Sequence, residues 1–232
     1  MAYSDKYNRS ISPIAQALIE YALGIGAIQL IPGGRELRSG RRSPYFFNAG
    51  EFHSGNAIAD LGNCYSMAIQ KNDLHPHIIF GPAYKGIPIA VATAAALGKN
   101  VSYAFNRKEA KGHGERGEIV GATIEGKKVI IVDDVITTGG SAKEAFEFVL
   151  RHGGIPVGCV IAFDRQERTE DSSHSAVQEF QRECRIPVYA IATVSDLISY
   201  LKYNTLGPFC GGIRREVYLE EIESYLEKYR SI

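Results

Sequence analysis

The chain has no surplus charge of either sign: 26 Lys and Arg balance 26 Asp and Glu over 232 residues. That balance argues against a general nucleic-acid or membrane-surface binder, which would carry a basic excess. Cysteine is scarce, and Cys64, Cys159, Cys184 and Cys210 form no CxxC pair. This argues against a zinc or redox site and for reduced thiols in a cytosolic compartment. No stretch approaches the roughly 18 apolar residues of a membrane helix. The opening MAYSDKYNRS is polar and lacks the apolar run of a signal peptide. A soluble, cytoplasmic protein is expected. There is no internal repeat and no low-complexity linker. A hydrophobic fraction of 45% and a charged fraction of 22% are those of an ordinary globular chain. The length suffices for one good-sized core with a small appended lobe.

From about residue 77, short β-branched runs alternate with helical periods. Candidate strands are 77–80 (HIIF), 101–105 (VSYAF), 128–135 (KVIIVDDV), 157–165 (VGCVIAFDR) and 188–193 (VYAIAT). Several are apolar along nearly their whole length, as in strands buried on both faces of a parallel sheet. After Gly139-Gly140, the residues Ala142, Ala145, Phe146, Val149 and Leu150 fall on one helical face. Ser141 with Glu144 reads as a capping box, and His152-Gly153-Gly154 as the stop. The alternation predicts an α/β fold with a central parallel sheet. Residues 1–50 look different: a helix over about 12–23 leads into a Gly- and Arg-rich segment. They are expected to form an N-terminal hood lobe, and residues 51–232 the α/β core. A C-terminal helix should pack through Tyr218, Ile222, Tyr225, Leu226 and Tyr229.

The segment carrying most chemistry is 129–145, VIIVDDVITTGGSAKEA. A buried strand delivers Asp133 and Asp134 to its carboxyl edge, where ligands bind in open parallel sheets. Thr137, Thr138, Gly139, Gly140 and Ser141 follow and open a helix, a loop whose N–H groups and hydroxyls suit a phosphate. Paired acids would repel a bare polyphosphate but accept hydrogen bonds from sugar hydroxyls. A ribose 5-phosphate satisfies both halves. The plainer alternative is a surface acidic turn before a capped helix.

This segment closely resembles the phosphoribosyl diphosphate (PRPP) motif of the type I phosphoribosyltransferase family. Four more segments resemble its orotate-using branch: 39–48 (SGRRSPYFFN), 80–90 (FGPAYKGIPIA), 105–121 (FNRKEAKGHGERGEIVG) and 163–168 (FDRQER). The resemblance implies a transferase joining orotate to PRPP with release of pyrophosphate, in pyrimidine biosynthesis. It implies PRPP binding by Arg38, Tyr84, Lys85, Arg107, Lys108, Lys111 and His113, and by the run Asp133, Asp134, Val135, Ile136, Thr137, Thr138, Gly139, Gly140, Ser141. Catalytic roles fall to Lys111, Arg107, His113, Asp133 and Asp134. Orotate contacts fall to Phe46, Phe47, Thr137 and Arg165. Position 38 usually holds Lys in the family, and Arg is not an equivalent donor. Mg²⁺ is expected as cofactor, carried mainly by PRPP rather than by protein ligands. A non-proline cis peptide is implied within Ala83-Tyr84-Lys85. A homodimer with shared active sites is implied too, with no nucleic-acid or membrane partner.

The residues themselves make chemical sense of this. Pyrophosphate departs as the anomeric carbon becomes cationic, and cations near the leaving group stabilise that change. Arg107, Lys108, Lys111 and His113 lie within seven residues, and Gly112, Gly114 and Gly117 suit a mobile loop over about 106–118 that excludes water. Alone, it reads more readily as a solvated basic loop. Arg165 can fork onto the carboxylate of orotate, although Asp164 and Arg165 also read as a strand-end ion pair. Phe46 and Phe47 offer a stacking wall, or simply core. Two other functions stay open: a phosphoribosyltransferase for another base, and a PRPP-sensing regulator.

Overall fold

The computed structural model describes residues 11–37, 39–98, 100–108, 117–203 and 215–232. The chain forms two compact units. One takes the described parts of Met1–Glu51, Arg165–Ser175 and Ala192–Ile232; the other takes those of Phe52–Asp164 and Ala176–Ile191.

The first unit opens with α1 (Pro13–Gly24). Ser12 caps it by accepting from the Ala15 N–H, and Pro13 occupies the first turn, where no N–H is needed. Ala15, Leu18, Ile19 and Ala22 form its buried stripe. The antiparallel strands β1 (Ile28–Glu36) and β2 (Arg42–Phe47) follow. Sequence patterning does not show this hairpin, because Ile31-Pro32-Gly33-Gly34 has the composition of a turn. In the structure it lies inside β1, where the register shifts between Leu30 and Arg35.

The second unit comprises α2 (Gly55–Lys71), β3 (Ile78–Phe80), α3 (Gly86–Leu97), β4 (Ser102–Asn106), β5 (Ile119–Gly121), β6 (Lys128–Asp133), α4 (Gly140–Arg151), β7 (Ile155–Asp164) and α5 (Ala176–Cys184), with most of β8 (Val188–Thr193). The sheet order is β5-β4-β3-β6-β7-β8. All five strands expected from the sequence are in it. β3 pairs in parallel with β4 and β6, and β6 with β7. β5 adds an antiparallel edge that three residues are too short to announce. Val129 through Val132 are wholly buried, and Phe80 stacks on Phe148 of α4 at 5.5 Å.

One local expectation fails. The capping box of Ser141 and Glu144 does not form, because α4 starts two residues earlier than that box requires, at Gly140. Its N-cap is Gly139, in the left-handed region at φ 80°, with no side-chain cap bond. The first-turn N–H groups therefore keep their capacity for an outside acceptor. The first unit closes with α6 (Val194–Tyr203) and α7 (Arg215–Tyr229). α7 buries Tyr218, Ile222, Tyr225 and Leu226, as its period predicts. Among the described residues no helix is long and apolar enough to cross a membrane.

Candidate active site

In the second unit, β3 and β6 are neighbours, and each runs into a loop that opens a helix. Asp133 ends β6, and it and Asp134 together are held on three sides. Tyr65 of α2 donates its hydroxyl to the Asp133 carbonyl at 2.6 Å. The Asp134 carbonyl accepts from the Ala162 and Phe163 N–H groups of β7 at 3.0 and 3.2 Å. Asp133 Oδ1 accepts from the Asp134 N–H, and Asp134 Oδ1 from the Val135 N–H, both at 2.9 Å. Both carboxyls are nearly buried. Lys85 Nζ lies 2.7 Å from Asp134 Oδ2, with its side chain about half exposed.

These surroundings set the charge state. Burial, and then the adjacent Asp134 carboxylate, push the Asp133 carboxyl up to about 7, with Lys85 pulling the other way. A raised acid means that the folded protein holds this proton more tightly than the unfolded chain does. Its stabilising contribution is complete below the unfolded value near 3.8 and is lost as pH rises through about 7. Asp133→Asn cannot ionise and should flatten that slope. We expect its melting temperature to match the parent near pH 4 and to exceed it at pH 8 by roughly 4–8 °C, or about 2 kcal/mol. Thermal unfolding at the two pH values checks this, and equal differences at both would refute it.

Beyond the acids, Thr137, Thr138, Gly140 and Ser141 are exposed, while Ile136 is in the core and Val135 is half-buried. The loop between β3 and α3 is tight: a Cβ on Gly81 would meet the Gly86 carbonyl oxygen at 2.0 Å. Its Ala83–Tyr84 peptide is cis, as the sequence resemblance implies. Asn106, at the end of β4, accepts from the Ala83 N–H at 2.9 Å. Tyr84 is exposed, with Lys108 Nζ 5.0 Å from its ring centre. Arg107 donates its N–H to the Glu118 carbonyl at 2.8 Å, next to the β4–β5 pairing of Asn106 with Ile119. Tyr84, Lys85, Arg107, Lys108 and residues 133–141 thus lie in one unit. Arg38, Lys111 and His113 fall outside the described residues.

Of the base-binding candidates, Thr137 lies in the second unit and Phe46, Phe47 and Arg165 lie in the first. β2 sends its two phenylalanines to opposite faces. Phe47 is buried, and Phe46 is half-buried with the Arg35 guanidinium 4.5 Å from its ring centre. Phe47 therefore packs in the core, and only Phe46 keeps part of its ring accessible. Arg165 pairs with Glu167 at 2.6 Å and donates to Ser43 Oγ at 2.9 Å. Its guanidinium lies 4.5 Å from the Tyr45 ring centre. Burial works against its charge, but Tyr45, Glu167 and Tyr225 outweigh it and keep Arg165 firmly protonated.

Tyr65, Asn106 and Glu167 were not singled out in the sequence. Tyr65 and Asn106 act across long chain separations and leave no local pattern. Glu167 leaves no such pattern either, because Gln166, between it and Arg165, sits in the left-handed region at φ 53° and breaks the strand period.

Comparison with known proteins agrees with this geometry. A family model described as "Phosphoribosyl transferase domain" matches residues 48–194. The chain is 46% identical to an orotate phosphoribosyltransferase of Stenotrophomonas maltophilia, over 91% of this chain and 94% of that one. It is 45% identical to that of Marinobacter nauticus, over 92% and 97%. A solved orotate phosphoribosyltransferase from Francisella tularensis superposes with a TM-score of 0.78 at 35% identity, covering 92% of this chain and 98% of the other. The expected α/β type I phosphoribosyltransferase fold holds. Sharing nearly half its residues with curated relatives across nine-tenths of its length, the chain belongs to the orotate phosphoribosyltransferases, within the phosphoribosyl transferase domain family.

Proposed function

We propose that the chain transfers the ribose phosphate of PRPP to orotate, yielding orotidine 5′-monophosphate and pyrophosphate in pyrimidine nucleotide synthesis. The observation that carries this reading is the braced Asp133–Asp134 pair beside the uncapped start of α4. The loop 137–141 and the first turn of α4 take the 5′-phosphate. Asp133 and Asp134 accept hydrogen bonds from the ribose hydroxyls. Lys85, Tyr84 and the loop before α3 hold the pyrophosphate. Thr137 touches the base, and Arg165 takes its carboxylate. Residues 1–50 serve as the hood that holds the base, and residues 51–232 as the core.

Orotate N1 supplies the electron pair for the new bond to the anomeric carbon, and its proton is lost. The bond from that carbon to pyrophosphate breaks, and the pair leaves with the diphosphate. Arg107, Lys108, Lys111, His113 and Arg38 stabilise the departing charge. Among the described residues no group of three or more Asp, Glu, His or Cys could cage a metal. A pair of acids, one already bound to Lys85, fits an ion that keeps most of its ligands from substrate and water. Bound Mg²⁺ would neutralise diphosphate charge.

We also propose a cytoplasmic homodimer, in which the basic loop of one subunit serves the neighbour's site. Its support is the family resemblance, together with free Cys64, Cys159 and Cys184 among the described residues.

The test is loss of orotate absorbance with PRPP and Mg²⁺. Turnover is expected with orotate and not with uracil, hypoxanthine or adenine, and should vanish in excess chelator. Turnover of another base would reassign the substrate. Binding of PRPP without pyrophosphate release from any base would instead mark a sensor.

A further inference from the structure

The first unit contains a buried polar cluster that orotate binding by Arg165 does not by itself explain. Its centre is Glu167, whose side chain is 9% exposed. Oε1 accepts from the Tyr45 hydroxyl and from Arg165 NH2, both at 2.6 Å. Oε2 accepts from the Tyr225 hydroxyl at 2.9 Å and lies 3.8 Å from Arg41 NH1. Tyr45 also donates to the Arg165 carbonyl at 3.3 Å. Arg41 donates to the Arg168 carbonyl at 2.8 Å and lies over the Tyr229 ring. Glu167 is thus fixed from β2, from α7 and from its own segment.

Two features of this cluster point beyond structural support. A long arginine side chain ordinarily loses considerable rotamer freedom when it grips a ligand. Here Glu167, Ser43 and the Tyr45 ring hold the guanidinium before any ligand arrives. The second feature is the charge count. Arg165 and Arg41, at 10% and 13% exposure, share the one carboxylate of Glu167. The tyrosines do not supply the missing charge, since burial raises Tyr45 well above its ordinary value and Tyr225 to about 12. These three side chains therefore keep one positive charge in excess, where water screens it poorly.

We infer that Glu167, gripped by Tyr45 and Tyr225, is a positioning residue that presents Arg165 to an anionic base, and that the unbalanced Arg41–Glu167–Arg165 cluster is a determinant of carboxylate selectivity. This rests on the proposed contact between Arg165 and the orotate carboxylate. A neutral base leaves the excess charge unmet, and a carboxylated one balances it. Glu167 acts on the base through Arg165 and has no part in holding PRPP.

The experiment measures KM for orotate and for PRPP, with kcat, in Arg165→Ala, Glu167→Ala, Glu167→Gln, Tyr225→Phe and the double variant Arg165→Ala/Glu167→Ala. Glu167→Ala should raise the orotate KM about thirtyfold and leave the PRPP KM within about twofold. Glu167→Gln should cost less, because the amide oxygen still accepts the Arg165 and Tyr45 hydrogen bonds. In the double variant, Glu167→Ala should add less than about twofold to Arg165→Ala, the mark of residues acting as a unit. Parallel rises in both KM values, or additive losses in the double variant, would overturn the positioning role. Should Glu167→Ala fail to fold, Glu167→Gln and Tyr225→Phe carry the same test, with a several-fold rise confined to orotate expected. If Arg165→Ala leaves the orotate KM untouched, the carboxylate contact itself is wrong. If Arg165→Ala acts and the Glu167 variants do not, only the present inference falls.

Discussion

Gly81→Ala is expected to lower kcat/KM for PRPP by about a hundredfold or more, the scale at which a misplacement of roughly 1 Å is felt. Gly81 leaves β3 with its N–H bound to the Ala104 carbonyl at 3.0 Å. A methyl there would stand 2.0 Å from the Gly86 carbonyl oxygen, 2.4 Å from its carbon and 2.8 Å from Ala90 Cβ. Two of these three atoms are backbone, so no side-chain rotation relieves the overlap. The chain must open between the end of β3 and the start of α3, and Ala83, Tyr84 and Lys85 lie on the part that opens. Lys85 would then leave Asp134, its partner at 2.7 Å. Overpacking of this kind also costs about 1–3 kcal/mol of stability. Gly55→Ala is the control, since nothing lies within 4 Å of a Cβ at that position and it begins α2. Steady-state kinetics with thermal melts distinguish the two, and a fully active Gly81→Ala would show that the loop does not hold pyrophosphate.

The second large effect comes from mixing two dead enzymes. Lys111→Ala and Arg165→Ala should each be nearly inactive, yet co-refolded or exchanged subunits should recover activity at about a quarter of all sites. If the basic loop serves the neighbouring subunit, Lys111 belongs to one chain's contribution and Arg165 to the other's. Two-fold symmetry then gives every mixed dimer one site with both defects and one with neither. Random pairing at equal amounts makes about half of the dimers mixed, hence the quarter. Subunit exchange is confirmed by native mass measurement. Exchange without recovered turnover would show that each chain completes its own site, and a monomer at assay concentration would remove the model altogether.

Much of the sheet is legible in the chain because runs such as Val129–Val132 are apolar at every position, which only a strand covered on both faces requires. The acid pair is legible for a related reason: two carboxylates directly after such a run must stand at its carboxyl end. What closes around the pair is not. Tyr65 reaches Asp133 across 68 positions, and Asn106 reaches Ala83 across 23. Such bonds depend on which strands become neighbours, and no local period encodes that. The β1–β2 hairpin is hidden by Pro32-Gly33-Gly34, whose turn-like composition is used instead for an irregularity within a strand. The Ser141 capping box misleads because Gly139, at a positive φ that glycine tolerates, takes the N-cap position upstream of it. Glu167 passes for a surface charge until the fold buries it among two tyrosines and two arginines.

The pairing of Asn106 with Ile119, with the adjoining bond from the Arg107 N–H to the Glu118 carbonyl, has an evolutionary consequence. The chain leaves the sheet and rejoins it at facing positions, which gives the sequence between them a fixed socket. Doubling the length of such an insert costs only about 0.6 kcal/mol in closure entropy. Segments from distant relatives should be interchangeable here without disturbing the phosphate cradle. Selection can then tune length and charge in the insert while the fold beneath it stays constant.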